Sequence, residues 1–190
     1  MGITLKQRVL IDNLANSLRH MLPKFSNREL DEALKSIGID VRYFVDKELD
    51  GFLKWDSERK QPIISVNAKH SLNRRNFSMA HELGHLVIDW NWIPFNKNIS
   101  FDESKVLNVT KYRGATGLTN AEKTSESLSN EFAAAFLLSN DDLKSFIFQN
   151  QDLDYVDLIN KVATTFVVSS EVANIRLKNF LEIMNEEESS

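Results

Sequence analysis

The 190-residue chain has no cysteine. That excludes a disulfide frame, a thiolate nucleophile and a Cys-ligated zinc finger, so any metal must sit on His and carboxylate. No segment approaches the roughly 18 consecutive apolar residues of a membrane span. Nor is there a chain-wide basic field, since 27 Asp and Glu outnumber 23 Lys and Arg for a net charge of -4, which argues against general nucleic-acid binding. The opening residues, interrupted by Lys6, Arg8, Asp12 and Arg19, contain no uncharged run of signal-peptide length, and the expectation is a cytoplasmic protein. A hydrophobic content of 42% with 26% charged residues is that of a folded globular chain, long enough for one good core.

Ile3, Leu10, Leu14, Leu18 and Leu22 recur at helical spacing ahead of Pro23, predicting an amphipathic first helix. Ser26 and Glu29 read as a capping box for a second helix that Gly38 stops. "IDVRYFV", "GFLKWD" and "PIISVNA" are short, β-branched and aromatic, which predicts a small sheet of three strands. A helix from about Asn73 to Trp90 follows, then an irregular interval between Asn91 and Leu118 that reads as a long loop. Thr119 and Glu122 form another capping box, Ser139 can cap the next helix, and the chain ends in two helices joined at "VVSS" before an acidic tail. The expectation is a mostly helical α+β fold with a small antiparallel or mixed sheet. Residues 1–145 would form the main body, and residues 150–185 a helical extension packed on it.

The chemistry concentrates in "FSMAHELGHLVIDW", Phe77 to Trp90. On a helix His81 and His85 lie one turn apart, so both imidazoles project from one face and can share a zinc ion. Glu82 is rotated by about 100° from His81, too far for a comfortable ligand but near enough to act on a water beside the metal. Gly84 costs about 1 kcal/mol against Ala in a helix interior, which points to something approaching closely there. A chance H-E-x-x-H occurs in roughly one chain of this length in a few hundred. The bland alternative is an ordinary helix carrying two histidines.

A third ligand must come from elsewhere. His20, in the first helix, and His70, after a strand, are ordinary polar positions. Glu122 is occupied by its cap, and Glu131 falls about 140° from Glu126 on the helical wheel, toward solvent. Glu126 shares a face with Asn130, which would suit a carboxylate ligand and an amide orienting a histidine through its other ring nitrogen. Glu126 equally suits a solvent-facing acid near a helix N-terminus.

"IISVN" (Ile63 to Asn67), "RRNFSMAHELGHLVI" (Arg74 to Ile88) and "ESLSNEFAAAFLL" (Glu126 to Leu138) together resemble the ImmA/IrrE-type metallopeptidases. The similarity covers about Ser26 to Leu143. It implies a gluzincin-like centre with Zn2+ (or Mn2+) on His81, His85 and Glu126, Glu82 as general base, and Asn130 in a supporting position. It also implies site-specific cleavage of a helix-turn-helix repressor controlling a stress response or a mobile element. Ser129 stands where the family usually has Ala, Asp89 falls close to where many members have a further His, and "LLSN" replaces the common "LLMP". Tyr112, Arg113 and His70 have the chemistry to stabilise an oxyanion, but nothing in the sequence places them. "VATTFVVSSEVANIRLKNF" resembles the helix-turn-helix-like segment of some members. Arg176 and Lys178 could touch phosphate there, although a packing hairpin is the favoured reading over DNA binding. Two rivals remain: a regulatory or DNA-binding protein with a merely structural metal site, and a toxin–antitoxin or phage component that binds its partner without cutting it.

Overall fold

A hydrogen-bonded cap starts the first helix. Thr4 accepts from the Gln7 backbone and Gln7 reaches back to Thr4, opening α1 (Leu5–Met21), whose Ile11, Ala15 and Leu18 enter the core. The structure, a computed structural model, describes residues 3–95 and 119–188. Of the irregular interval expected at 91–118, residues 96–118 therefore lie outside the described residues. The capping box expected at Ser26 does not form. Ser26 Oγ instead accepts from the Arg28 backbone within a tight turn, and α2 (Leu30–Ser36) begins after Glu29 without a side-chain cap. Gly38, at φ +92°, adopts the left-handed conformation that ends this helix.

The chain then forms β1 (Asp40–Phe44), β2 (Gly51–Asp56) and β3 (Gln61–Asn67), ordered β1-β3-β2. β1 runs parallel to β3 from Asp40↔Ile63 to Phe44↔Asn67, and β2 antiparallel from Gly51↔Val66 to Asp56↔Gln61. The sheet is thus mixed, as expected. The last residue of β3 also ties down a loop: Asn67 Nδ2 donates to the Asp46 and Leu49 carbonyls at 2.9 and 2.8 Å.

Helix α3 (Leu72–Ile88) follows directly and is buried on nearly every side from Ser78 to Leu86. A helix buried all round must be covered on both flanks. The sheet lies on one side, and α4 (Asn120–Leu137) forms on the other the most extensive helix–helix interface among the described residues. The Thr119–Glu122 capping box starts α4, and a Ser139–Asp142 box starts α5 (Asn140–Gln149). α6 (Tyr155–Phe166) and α7 (Ser170–Glu188) form the C-terminal hairpin. Val167 turns the chain between them in the left-handed region, at φ 54° and ψ 47°.

One sequence expectation fails at this hairpin, and one alternative to the favoured packing reading falls away. Arg176 is fully buried, not free for phosphate. Its guanidinium reaches Asp12 at 2.9 Å, the Leu138 carbonyl at 2.9 Å and Asn140 Oδ1 at 2.8 Å. Glu131, expected in solvent, is buried beside it, 3.7 Å from Arg176, and accepts from Asn179 Nδ2 at 3.1 Å. Helix α7 covers the face of α4 that a wheel drawn for α4 alone leaves open. The Glu131 carboxyl is raised, chiefly by burial. Seven helices and the three-stranded mixed sheet, counted among the described residues, make one α+β domain.

Candidate metal centre

The crossing of α3 and α4 is set by Gly84. A Cβ added there would meet Ser129 Cα at 3.1 Å and Phe132 Cδ1 at 3.2 Å. This is the close approach its presence in a helix suggested. The bare glycine, three residues after His81 and directly before His85, lets the two backbones come together and so brings Glu126 over the pair.

His81 Nε2 and His85 Nε2 are 3.0 Å apart. Glu126 places Oε2 3.4 Å from the first and Oε1 3.3 Å from the second. Four-coordinate zinc with ligands at 2.0–2.1 Å requires ligand atoms about 3.3–3.4 Å from one another, so the triangle is already of coordinating size. Of the described residues, His81, His85 and Glu126 form the group that could hold a metal ion. Both histidines are buried, while Glu126 remains 32% exposed on the open side.

The far ring nitrogens fix which atoms face the centre. His81 Nδ1 lies 2.9 Å from the Asn130 amide oxygen, which can only accept. His85 Nδ1 lies 2.7 Å from Asp89 Oδ2, which also only accepts. Each Nδ1 therefore carries a hydrogen, and each Nε2 turns a lone pair toward the other and toward an anionic carboxylate. Such a set of converging lone pairs requires a positive charge among them, and the donor types are those of a zinc ligand set.

In the absence of metal a proton supplies that charge. Burial works to lower the His85 pKa, but hydrogen bonds to Asp89 and Glu126, with help from the nearby Glu82, overcome it and push the value up to about 9. The same two imidazoles hold the Glu126 carboxyl well below the usual carboxylate range.

The remaining candidates are distributed unevenly. Glu82 is buried on α3 directly after His81. Asn130 is solvent-exposed despite its bond to His81. His70 pairs with Asp50 at 3.2 Å, in a cluster that Arg74 completes at 2.8 Å. His20 is exposed on α1. Tyr112 and Arg113 lie outside the described residues. A cavity of about 790 Å3 lined by Phe77, Ala134, Leu137 and Val172 touches this region through Asn130 and no ligand. Sequence reasoning overlooked Ser125, Ser129 and the bonding role of Asp89. Ser129 Oγ sits 3.1 Å from His85 Nδ1, and Ser125 Oγ donates to Asp89 at 2.6 Å. The i,i+4 spacing of His85 and Asp89 was a usable signal; the serines, from another helix, gave none.

Residues 34–178 match the Peptidase_M78 family, the IrrE N-terminal-like domain. The chain belongs to this family. The IrrE N-terminal-like match begins in α2 and continues into α7, taking in the helices that carry His81, His85 and Glu126. Among solved structures, a Mycobacterium tuberculosis transcriptional regulator shares the fold with a TM-score of 0.54 at 20% identity. The match covers 86% of this chain and 44% of that one, so the chain spans less than half of that protein's length. No curated protein matches. Among the described residues, no helix is long and apolar enough to cross a membrane.

Proposed function

We propose that this IrrE N-terminal-like chain is a zinc-dependent endopeptidase that cuts a specific protein partner, a helix-turn-helix repressor, rather than digesting peptides generally. The observation that carries the reading is the convergence of His81 Nε2, His85 Nε2 and both Glu126 oxygens at mutual distances of 3.0–3.4 Å, with the buried Glu82 next along the same helix. Two imidazoles and one carboxylate suit zinc best, and manganese is the nearest alternative.

A bound ion supplies Lewis-acid polarisation of the scissile carbonyl and acidifies a water. The protein's own groups do the rest. Asn130 accepts from His81 Nδ1 and keeps the opposite nitrogen turned inward. Glu82 takes the proton as water oxygen bonds to the carbonyl carbon, then delivers it to the departing amide nitrogen as the C–N bond breaks. Glu126, with 32% of its side chain exposed, is the member of the trio on which a substrate would approach. The repressor as substrate follows from the family resemblance, and the fold likeness to a transcriptional regulator is compatible with work in gene control.

The test incubates the chain and zinc or manganese with a folded helix-turn-helix repressor encoded beside it. Discrete fragments are expected, with Glu82→Gln keeping the metal while cleavage falls by about 10²–10⁴-fold, the usual worth of a general base. Intact partner in a stable complex, with either metal, would refute proteolysis. It would favour a non-proteolytic regulator with a structural metal site, the second reading that the regulator-like fold supports.

A further inference from the structure

Asp89 accepts two hydrogen bonds on a single oxygen. Oδ2 lies 2.7 Å from His85 Nδ1 and 2.6 Å from Ser125 Oγ. Ser125 immediately precedes Glu126, the ligand contributed by α4, whereas Asp89 is the C-cap residue of α3, the helix that contributes both histidines. One carboxylate oxygen thus ties the back of one ligand to the residue next to another, across the helix crossing. Asp89 cannot itself bind the ion, because Nδ1 and Nε2 lie on opposite sides of the imidazole ring. On the His81 side the matching acceptor is Asn130, neutral and exposed. The two histidines are therefore supported unequally.

We infer that Asp89 and Ser125 form a positioning clasp that presets His85 and Glu126 for the metal, with the anionic Asp89 the principal support and Ser125 acting through it. The inference rests on the metal-site reading above. A charged acceptor on Nδ1 increases the electron density at Nε2 and so strengthens the ligand, and it fixes the ring plane. Ser125 then holds that carboxylate in place and sets the rotation of α4 at the residue before Glu126. Ser129 Oγ, 3.1 Å from the same nitrogen, is a longer, neutral contact and plays the lesser part.

The experiment measures zinc affinity by competition with a chromophoric chelator, and records the visible spectrum of the Co2+-loaded chain as a report of coordination geometry. The variants are Asp89→Asn, Ser125→Ala and their combination. Asp89→Asn keeps the shape and removes the charge; a loss of affinity of about 10- to 100-fold is expected, the range for such supporting groups. Ser125→Ala is expected to cost a few-fold and to alter the Co2+ spectrum. The double variant should be no weaker than Asp89→Asn alone, because the serine works through the aspartate. Thermal unfolding of the metal-free variants separates a folding defect, which would lower stability without this pattern in affinity. If Asp89→Asn does not fold, Ser125→Ala decides alone, and unchanged affinity there overturns the clasp. Wild-type affinity in Asp89→Asn, or additive losses in the double variant, also overturns it. If the wild-type chain itself binds no zinc, the metal-site reading fails first.

Discussion

Replacing Gly84 with Ala adds one carbon at the α3–α4 crossing. That carbon would lie 3.1 Å from Ser129 Cα and 3.2 Å from Phe132 Cδ1, against an ordinary carbon contact of about 3.5–4.0 Å. The Ser129 neighbour is backbone, which has no rotamer to turn away, so the helices must part by about 0.4–0.5 Å. Helix propensity favours Ala by about 1 kcal/mol, while overpacking costs about 1–3 kcal/mol. The metal-free protein should therefore lose between nothing and about 2 kcal/mol. Metal binding is the more sensitive quantity, because Glu126 sits on the displaced helix only 3.3–3.4 Å from both histidine nitrogens, and sites of this kind tolerate about 0.5 Å. An approximately tenfold or greater loss of zinc affinity is expected, read by chelator competition, with urea unfolding of the metal-free chain giving the stability change. A Gly84→Ala protein that is more stable and binds zinc as tightly as wild type would refute the idea that this contact sets the ligand geometry.

The centre should also respond to pH in a defined direction. His85 is raised from its ordinary 6.5 to about 9, so without metal its contribution to stability is complete below pH 6.5 and is lost as pH rises through 9. Glu126 is depressed from 4.5, so its contribution is present above pH 4.5 and is lost in acid. Thermal unfolding of the metal-free chain should show its midpoint falling from pH 6.5 to 9. The stabilisation gained on adding zinc should grow over the same range, because the ion displaces a proton. Arg176→Met should destabilise the chain by about 3–5 kcal/mol, since Asp12 and Glu131 would stay buried without their cation. Chemical unfolding measures this, and a loss under 1 kcal/mol would mean that water reaches those carboxylates.

Features encoded within a few residues were the ones legible in the sequence. The pairing of His81 with His85, the Thr119 and Ser139 caps and the stop at Gly38 each follow from local spacing. The three strands were readable from their β-branched runs, but their order was not, because β1 skips its sequence neighbour to lie beside β3. Glu126 emerged only as one candidate of several, since nothing local tells a helix which neighbour it will face. Glu131 was misjudged for that reason: it was assigned to solvent from its own helix, and it is buried beside Arg176 of α7. The Ser26 box failed because the turn took the serine oxygen one residue early, at Arg28.

Helices α3 and α4 grip each other across Gly84, where an added Cβ would stand 3.1 Å from Ser129 Cα. A crossing this tight has little freedom to slide, so a change that displaces either helix is felt at His81, His85 and Glu126 together.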